Sequence, residues 1–76
     1  MNEQDKHESD KQFMIECLTS DMIQILMEER QLSMSDAMSL LYNSKTYEKI
    51  EDEKTGLYYQ GAVYVMEFLN EELRNA

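Results

Sequence analysis

The sequence contains no proline, no tryptophan, a single cysteine and only two glycines in its 76 residues. A β-protein with many tight turns needs more proline and glycine than this, so the composition predicts an all-α protein. The lone cysteine, Cys17, has no partner for a disulfide within the chain and supplies no cysteine-based zinc motif. This cysteine usage favours a reducing compartment, and we expect a cytoplasmic protein.

Long hydrophobic runs and basic residues are also scarce. No apolar run approaches the ~20 residues of a membrane span, and the first dozen residues lack the hydrophobic core of a signal peptide. Sixteen acidic and seven basic side chains give a formal charge of −9. Phosphate binding depends on clustered lysine and arginine, so we expect no nucleic-acid partner and no membrane association. A basic protein is the partner that this charge favours.

The chain is short for a stable domain. At this length a domain buries roughly 60% of the surface of its unfolded chain, so oligomerisation or a partner would help to stabilise it. Hydrophobic residues make up 42% of the sequence, which is enough for a folded chain. Residues 1–8 are polar and are predicted to be a disordered leader, and residues 9–76 are predicted to form one helical domain.

Helix start signals recur along the domain. The pairs Ser9 with Gln12 and Ser33 with Asp36 have the spacing of a capping box, and Ser44 is a further N-cap candidate. We predict a compact bundle of three to four helices, at about 9–31, 33–43, 45–51 and 61–74, with an extended loop at 52–60. Asn43 is predicted to end the second helix in a left-handed conformation. Gly56 is predicted to supply a positive φ in a turn of the loop.

The first helix carries apolar residues on two sides. One stripe faces the predicted core and contains Met14, Ile15, Leu18, Met22, Ile25 and Leu26. A second set, Phe13, Cys17, Ile23 and Met27, is covered either by other helices or by another chain. This second set is the candidate self-association surface of a homodimer. Among the seven methionines, core positions are predicted for Met14, Met22, Met34, Met38 and Met66, and an exposed position for Met27.

An acidic segment followed by aromatic residues suggests a second surface. Four acidic residues lie between residues 48 and 53, just before the Gly56 turn. Tyrosine is common at interfaces because it buries a large area and keeps a polar tip. The candidate partner-binding site therefore comprises Glu51, Asp52, Glu53, Leu57, Tyr58 and Tyr59.

Candidate catalytic and metal-binding groups lack the partners that chemistry requires. His7 is the only histidine and lies in a run of charged residues that water would solvate. Cys17 has no histidine near it in sequence to activate a thiolate. The acidic segment resembles a calcium loop, but its closing position falls on Ala62, where a glutamate is required. Glu71 and Glu72 are expected on solvated faces. We predict no enzyme, no catalytic residue, no cofactor and no metal.

One stretch is more specific than composition. LLYNSKTYEKIEDEKTGLYYQ, at residues 40–60, follows the run from Leu32 to Ala37 and precedes the pairs Tyr64-Val65 and Phe68-Leu69. Over about residues 32–73 this order of features resembles a family of small bacterial all-helical domains of unknown function. In that family a serine-proline pair would be expected where Gln60 and Gly61 stand.

The resemblance implies a short, cytoplasmic, all-α protein with no established activity. It also implies relatives that are encoded beside proteins resembling ADP-ribosyltransferases, as a toxin and its neutraliser are. It transfers no catalytic or ligand residue. The leading hypothesis is a non-catalytic acidic protein-binding module, an accessory or antitoxin-like partner of a neighbouring-gene protein. The alternative is a structural homodimer with no separate ligand.

Overall fold

Four α-helices account for most of the chain. The structure is a computed structural model that describes the backbone of residues 3–76 and the side chains of residues 10–76. In chain order the helices are α1 (Glu3–Arg30), α2 (Met34–Tyr42), α3 (Lys45–Glu51) and α4 (Ala62–Arg74). The all-α prediction is confirmed for these residues, and the bounds of α2, α3 and α4 agree with the predicted ones to within one residue.

The core lies along one side of α1. Every helix contributes fully buried side chains to it, and α2, α4 and the segment before α4 all pack on α1. The largest of these side chains are Met22, Leu26, Leu41, Ile50, Val65 and Leu69. Burying one such aliphatic side chain contributes about 1.5–3 kcal/mol, so the stripe predicted on α1 supplies much of the cohesion of the domain.

The starts of α2 and α3 follow the predicted caps. Ser33 Oγ accepts a hydrogen bond from the backbone N–H of Asp36 at 3.1 Å, and Ser44 Oγ accepts one from the N–H of Tyr47 at 3.0 Å. The left-handed end predicted at Asn43 is wrong, because its φ is −96°. The N–H of Asn43 makes the last helical hydrogen bond of α2, to the carbonyl of Ser39 at 3.2 Å.

The first helix is longer than predicted. It begins at Glu3, so residues 3–8 of the predicted disordered leader are helical and Ser9 lies inside the helix. Residues 1–2 lie outside the described residues. The segment between Glu3 and Gln12 contains no glycine or proline, and its acidic residues near the start suit the positive end of the helix dipole. The local preference of Ser9 for a cap is therefore overridden by a continuous run of residues that tolerate a helix.

The segment predicted as an extended loop at 52–60 is instead two short 3₁₀ turns. The first turn is Glu53–Thr55 and the second is Leu57–Tyr59, with Gly56 between them. Asp52 Oδ1 accepts a hydrogen bond from the N–H of Lys54 at 3.0 Å and so caps the first turn. The predicted positive φ at Gly56 is confirmed at 68°. Leu57 is buried, and its anchoring in the core pulls the chain into turns.

Candidate protein-binding site

A groove with exposed aromatic walls lies between α1 and the start of α4. We call it the aromatic groove, and it is lined by Phe13, Met14, Cys17, Leu18, Asp21, Tyr58, Tyr59, Gln60, Gly61 and Ala62. Its volume is about 210 Å³. Small-molecule sites usually enclose about 300–1,000 Å³, so this groove suits side chains of another protein better than a small ligand.

Two aromatic rings stand out from the walls of this groove. Phe13 on α1 is 65% exposed, and Tyr59 in the second 3₁₀ turn is 58% exposed. The rings of Tyr58 and Tyr59 meet edge to face, with centroids 5.2 Å apart. Tyr58 is half-buried, and the Lys11 ammonium lies 5.9 Å from its ring centroid. One wall is thus a packed aromatic pair, whereas Phe13 on the other wall is largely uncovered.

Gly56 sets the position of Tyr59. A Cβ atom built on Gly56 would lie 2.5 Å from the hydroxyl oxygen of Tyr59, so the tyrosine ring occupies the space that any side chain at position 56 would need. The positive φ at Gly56 also costs an L-residue about 1–2 kcal/mol. Glycine at position 56 therefore suits the turn, and a side chain at that position would displace the Tyr59 ring from the wall of the groove.

The predicted acidic cluster is exposed but engaged within the molecule. Glu53 lies 3.5 Å from Lys11 Nζ in an ion pair, and Asp52 caps the first 3₁₀ turn. Burial, followed by the charge of Glu51, raises the pKa of Tyr47 above its usual value. Two of these three carboxylates, Asp52 and Glu53, therefore hold local structure.

The structure mixes residues of the predicted self-association set with residues of the predicted partner-binding set. Phe13 and Cys17, predicted for self-association, lie in the aromatic groove together with Tyr58 and Tyr59, which were predicted for partner binding. Leu57 is only 6% exposed and belongs to the core, so its predicted place in a binding surface is wrong. The remaining members of the self-association set, Ile23 and Met27, are half-buried on the other flank of α1.

Ile23 and Met27 line a second groove, between α1 and α2. We call it the methionine groove, and its nine lining residues are Glu16, Thr19, Ser20, Ile23, Gln24, Met27, Met34, Met38 and Tyr42. Its volume is about 250 Å³, close to that of the aromatic groove. Covering by other helices thus accounts in part for Ile23 and Met27, but not for Phe13 and Cys17, both of which are exposed.

The methionine predictions hold only in the core. Met22 and Met66 are buried as predicted. Three methionines predicted to be buried are exposed instead: Met14 (38%), Met34 (59%) and Met38 (38%). Met27, predicted to be exposed, is half-buried. The short helix α2 buries only Ala37 and Leu41, and the methionines on the same stripe lie toward its open edge.

A polar junction joins the end of α4 to the start of α3. Glu72 Oε2 accepts a hydrogen bond from the N–H of Lys45 at 2.9 Å, and Glu72 Oε1 accepts two from Thr46, from its N–H and its hydroxyl, each at 2.8 Å. Burial alone would raise the pKa of Glu72, but these hydrogen bonds and the charge of Lys45 outweigh it and lower that pKa. The predicted solvated position of Glu72 is wrong, because it satisfies free N–H groups at the start of α3.

The described side chains do not form a metal-binding cluster. Between residues 10 and 76, no group of three histidine, cysteine, aspartate or glutamate side chains gathers as a metal site would require. The side chain of His7 lies outside the described residues. No helix formed by residues 3–76 is long and apolar enough to cross a membrane. The aromatic groove, with two exposed aromatic side chains on its walls, is the candidate functional site.

Comparison with protein-family models, with curated protein sequences and with solved structures gave no match. The resemblance of residues 32–73 to a bacterial helical family stays a prediction.

Proposed function

We propose that the protein is a non-catalytic, acidic protein-binding module that docks a basic partner protein through the aromatic groove. The observation that supports this most is the exposure of Phe13 and Tyr59 on opposite walls of one groove. Large aromatic side chains dominate binding energy at protein interfaces because they bury much area with few rotatable bonds.

The charge distribution supports a basic partner. Asp21 is the one charged residue among the ten that line the aromatic groove, and the chain as a whole carries −9. A cationic partner would be attracted over a distance of about a Debye length, which is ~8–10 Å at physiological salt. The charge would then speed association, while the aromatic walls would hold the complex.

In the cell, the proposed role is that of a cytoplasmic accessory or antitoxin-like protein that binds the product of a neighbouring gene. The support for this role is the family resemblance of residues 32–73, together with the acidic charge that suits a basic target. Neutralisation of this kind needs binding energy and no catalytic group, which agrees with a surface built from apolar side chains.

Co-expression with the product of each neighbouring gene tests the proposal. A tagged copy of this chain should copurify with one of them, and Phe13→Ser should reduce recovery roughly tenfold or more. Val63→Ser is the matched control, because Val63 is 76% exposed and lies in neither groove. Failure of every neighbour to copurify, or equal recovery of the two variants, would contradict the proposal.

The homodimer remains the second candidate, because Phe13 and Cys17 lie on adjacent turns of α1 and are both exposed. Sedimentation of the isolated protein at micromolar concentration separates the two functions. The binding-module proposal predicts a monomer, since two copies would each bring −9. A dimer that dissociates in Phe13→Ser would instead establish the homodimer.

A further inference from the structure

The methionine groove has the shape of a binding groove for a further helix. Its wall on α2 is made by Met34, Met38 and Tyr42, spaced four residues apart, and Ile23 and Met27 face them from α1. The two helices are consecutive and are joined by the three residues 31–33. A groove between two packed helices is where a third helix inserts its side-chain ridge.

The dimensions of the groove agree with this form. On α1 the lining extends from Glu16 to Met27, and on α2 it covers the whole helix from Met34 to Tyr42. At 1.5 Å per residue, these segments are about 12–17 Å long, which matches two to three turns of a bound helix. Methionine side chains are unbranched and flexible, so this wall can adapt to different apolar residues.

Buried polar groups do not oppose an apolar occupant. Thr19 is the buried polar residue of the lining, and its hydroxyl donates a hydrogen bond to the carbonyl of Glu16 at 3.1 Å. An apolar side chain that covers Thr19 would therefore leave no new polar atom unpaired there.

The charge in the lining of the groove favours a basic helix over a second copy of this chain. Glu16 is the one charged residue among the nine that line it. A second copy of this chain would bring another −9 to that groove, whereas a helix with basic residues would be attracted.

We propose that the methionine groove is a second docking surface, which receives an amphipathic helix of a partner protein that carries lysine or arginine beside its apolar stripe. This proposal does not depend on the aromatic groove. The apolar stripe of the bound helix would lie on Met34, Met38 and Met27, and a basic residue at one end of that stripe would lie near Glu16. A protein with both surfaces can hold two segments of one partner, or two partners, on opposite flanks of α1.

A synthetic peptide provides the probe. It has about four helical turns, with leucine at i, i+3, i+4 and i+7 spacing, lysine at most other positions and one tryptophan. The protein has no tryptophan, so the peptide can be excited selectively and its binding followed by fluorescence. A peptide of the same composition in scrambled order and a peptide with glutamate in place of lysine are the controls. The first peptide should bind at least tenfold more tightly than either.

Methionine methyl resonances then locate the peptide. The full chain is labelled at its methionine methyl groups, and individual signals are assigned with single Met→Leu variants. Binding in the methionine groove should shift the methyl signals of Met27, Met34 and Met38. The signal of Met14, in the aromatic groove, and those of Met22 and Met66, in the core, should stay in place.

A matched pair of variants separates the groove from the overall charge. Met34→Lys and Val63→Lys change the charge equally, and both positions are more than half exposed, so both variants should fold. Met34→Lys should weaken binding roughly tenfold or more, and Val63→Lys no more than about twofold. Circular dichroism checks that each variant keeps its helix content.

Several outcomes would overturn the proposal. Shifts confined to Met14 would place the cationic helix in the aromatic groove, which would support the proposed function and reject this second surface. Equal binding of the scrambled peptide, or equal weakening by both lysine variants, would reduce the interaction to non-specific attraction. Concentration-dependent shifts of Met34 and Met38 without peptide, together with a dimer in sedimentation, would assign the groove to a second copy of the chain.

Discussion

The polar junction at Glu72 and the two grooves beside α1 differ in how far their side chains find partners within the chain. At the junction, one carboxylate accepts three hydrogen bonds from the first residues of α3. Along the grooves, apolar side chains such as Phe13 and Met34 remain more than half exposed. Among the described side chains, no buried polar atom lacks a hydrogen-bond partner. The buried polar groups of the described residues are thus hydrogen-bonded within the chain, whereas part of the apolar surface stays exposed to solvent.

This difference assigns separate roles to the two regions. A substitution at the junction or in the turn that follows α3 should change the free energy of unfolding of the isolated protein. A substitution at an exposed position of a groove, such as Phe13 or Met34, should leave that free energy nearly unchanged and alter only binding. The predictions below test this separation, beginning with the largest expected change in stability.

Glu72→Ala should lower the free energy of unfolding by about 2–3 kcal/mol, because it removes three hydrogen bonds to a charged group and leaves backbone N–H groups of α3 without a partner. Urea denaturation measures the change. Glu71→Ala is the matched control, since Glu71 is exposed and its ion pair with Arg74, at 3.3 Å, contributes less than about 0.5 kcal/mol. Equal effects of the two substitutions would show that the junction is not what secures α3.

Gly56→Ala should cost about 1–2 kcal/mol, because alanine would be held in a left-handed conformation. Gly61→Ala should change stability by less than about 0.7 kcal/mol, since Gly61 has a φ of −73° and open space around it. The same denaturation series compares them. A small effect at Gly56 would mean that the turn relaxes, whereas the ring resonances of Tyr59 should move in either case because the added Cβ displaces the ring.

The pH dependence of stability should have an acid limb set by Glu72. Its folded pKa is lowered, so its contribution is present above the ordinary glutamate value of 4.5 and is lost as the pH falls through the folded pKa. Glu72→Gln should flatten the stability profile below about pH 4.5. An unchanged acid limb in that variant would assign the acid sensitivity to other carboxylates.

An alkaline limb should come from Tyr47 by the opposite sign. Burial and then the charge of Glu51 raise its folded pKa, so the stabilisation is present below the ordinary value of 10.0 and is lost as the pH rises through the folded pKa. Tyr47→Phe should flatten this limb. Titration of tyrosine absorbance at high pH, with thermal unfolding at each pH, provides the measurement.

Phe13→Ser should give the smallest change, within about 0.5 kcal/mol of the original protein, because Phe13 contributes little to the core. Val63→Ser should behave in the same way. A loss of 2 kcal/mol at Phe13 alone would break the separation, since the aromatic groove would then be part of what holds the isolated chain together.

Sequence reasoning succeeded where the signals are local. Ser33 and Ser44 each reach an N–H three residues ahead, so the starts of α2 and α3 were predictable. The apolar stripe on α1 likewise follows from its spacing. The cap signal at Ser9 failed because nothing nearby interrupts the helix, and a capping preference of about 1 kcal/mol does not by itself end one.

The remaining errors concern contacts between distant segments. Glu72 meets Thr46 across 26 residues, and no local pattern marks that pairing. Periodicity placed Met34 and Met38 on the stripe with Leu41, but it does not show which edge of a stripe other helices cover. The aromatic groove was predicted only in halves: Phe13 and Cys17 on one side, Tyr58 and Tyr59 on the other. The other six lining residues, among them Met14, Asp21 and Ala62, were not predicted to belong to a site.

Tyr59 packs beside Gly56, so the left-handed turn at Gly56 and the shape of the aromatic groove depend on each other. Because the tyrosine hydroxyl lies 2.5 Å from the position that a Cβ atom at residue 56 would take, any other residue there must displace the Tyr59 side chain. The shape of the aromatic groove therefore depends on the absence of a Cβ atom at position 56. Binding of a partner that contacts Tyr59 would therefore depend on the left-handed conformation of Gly56.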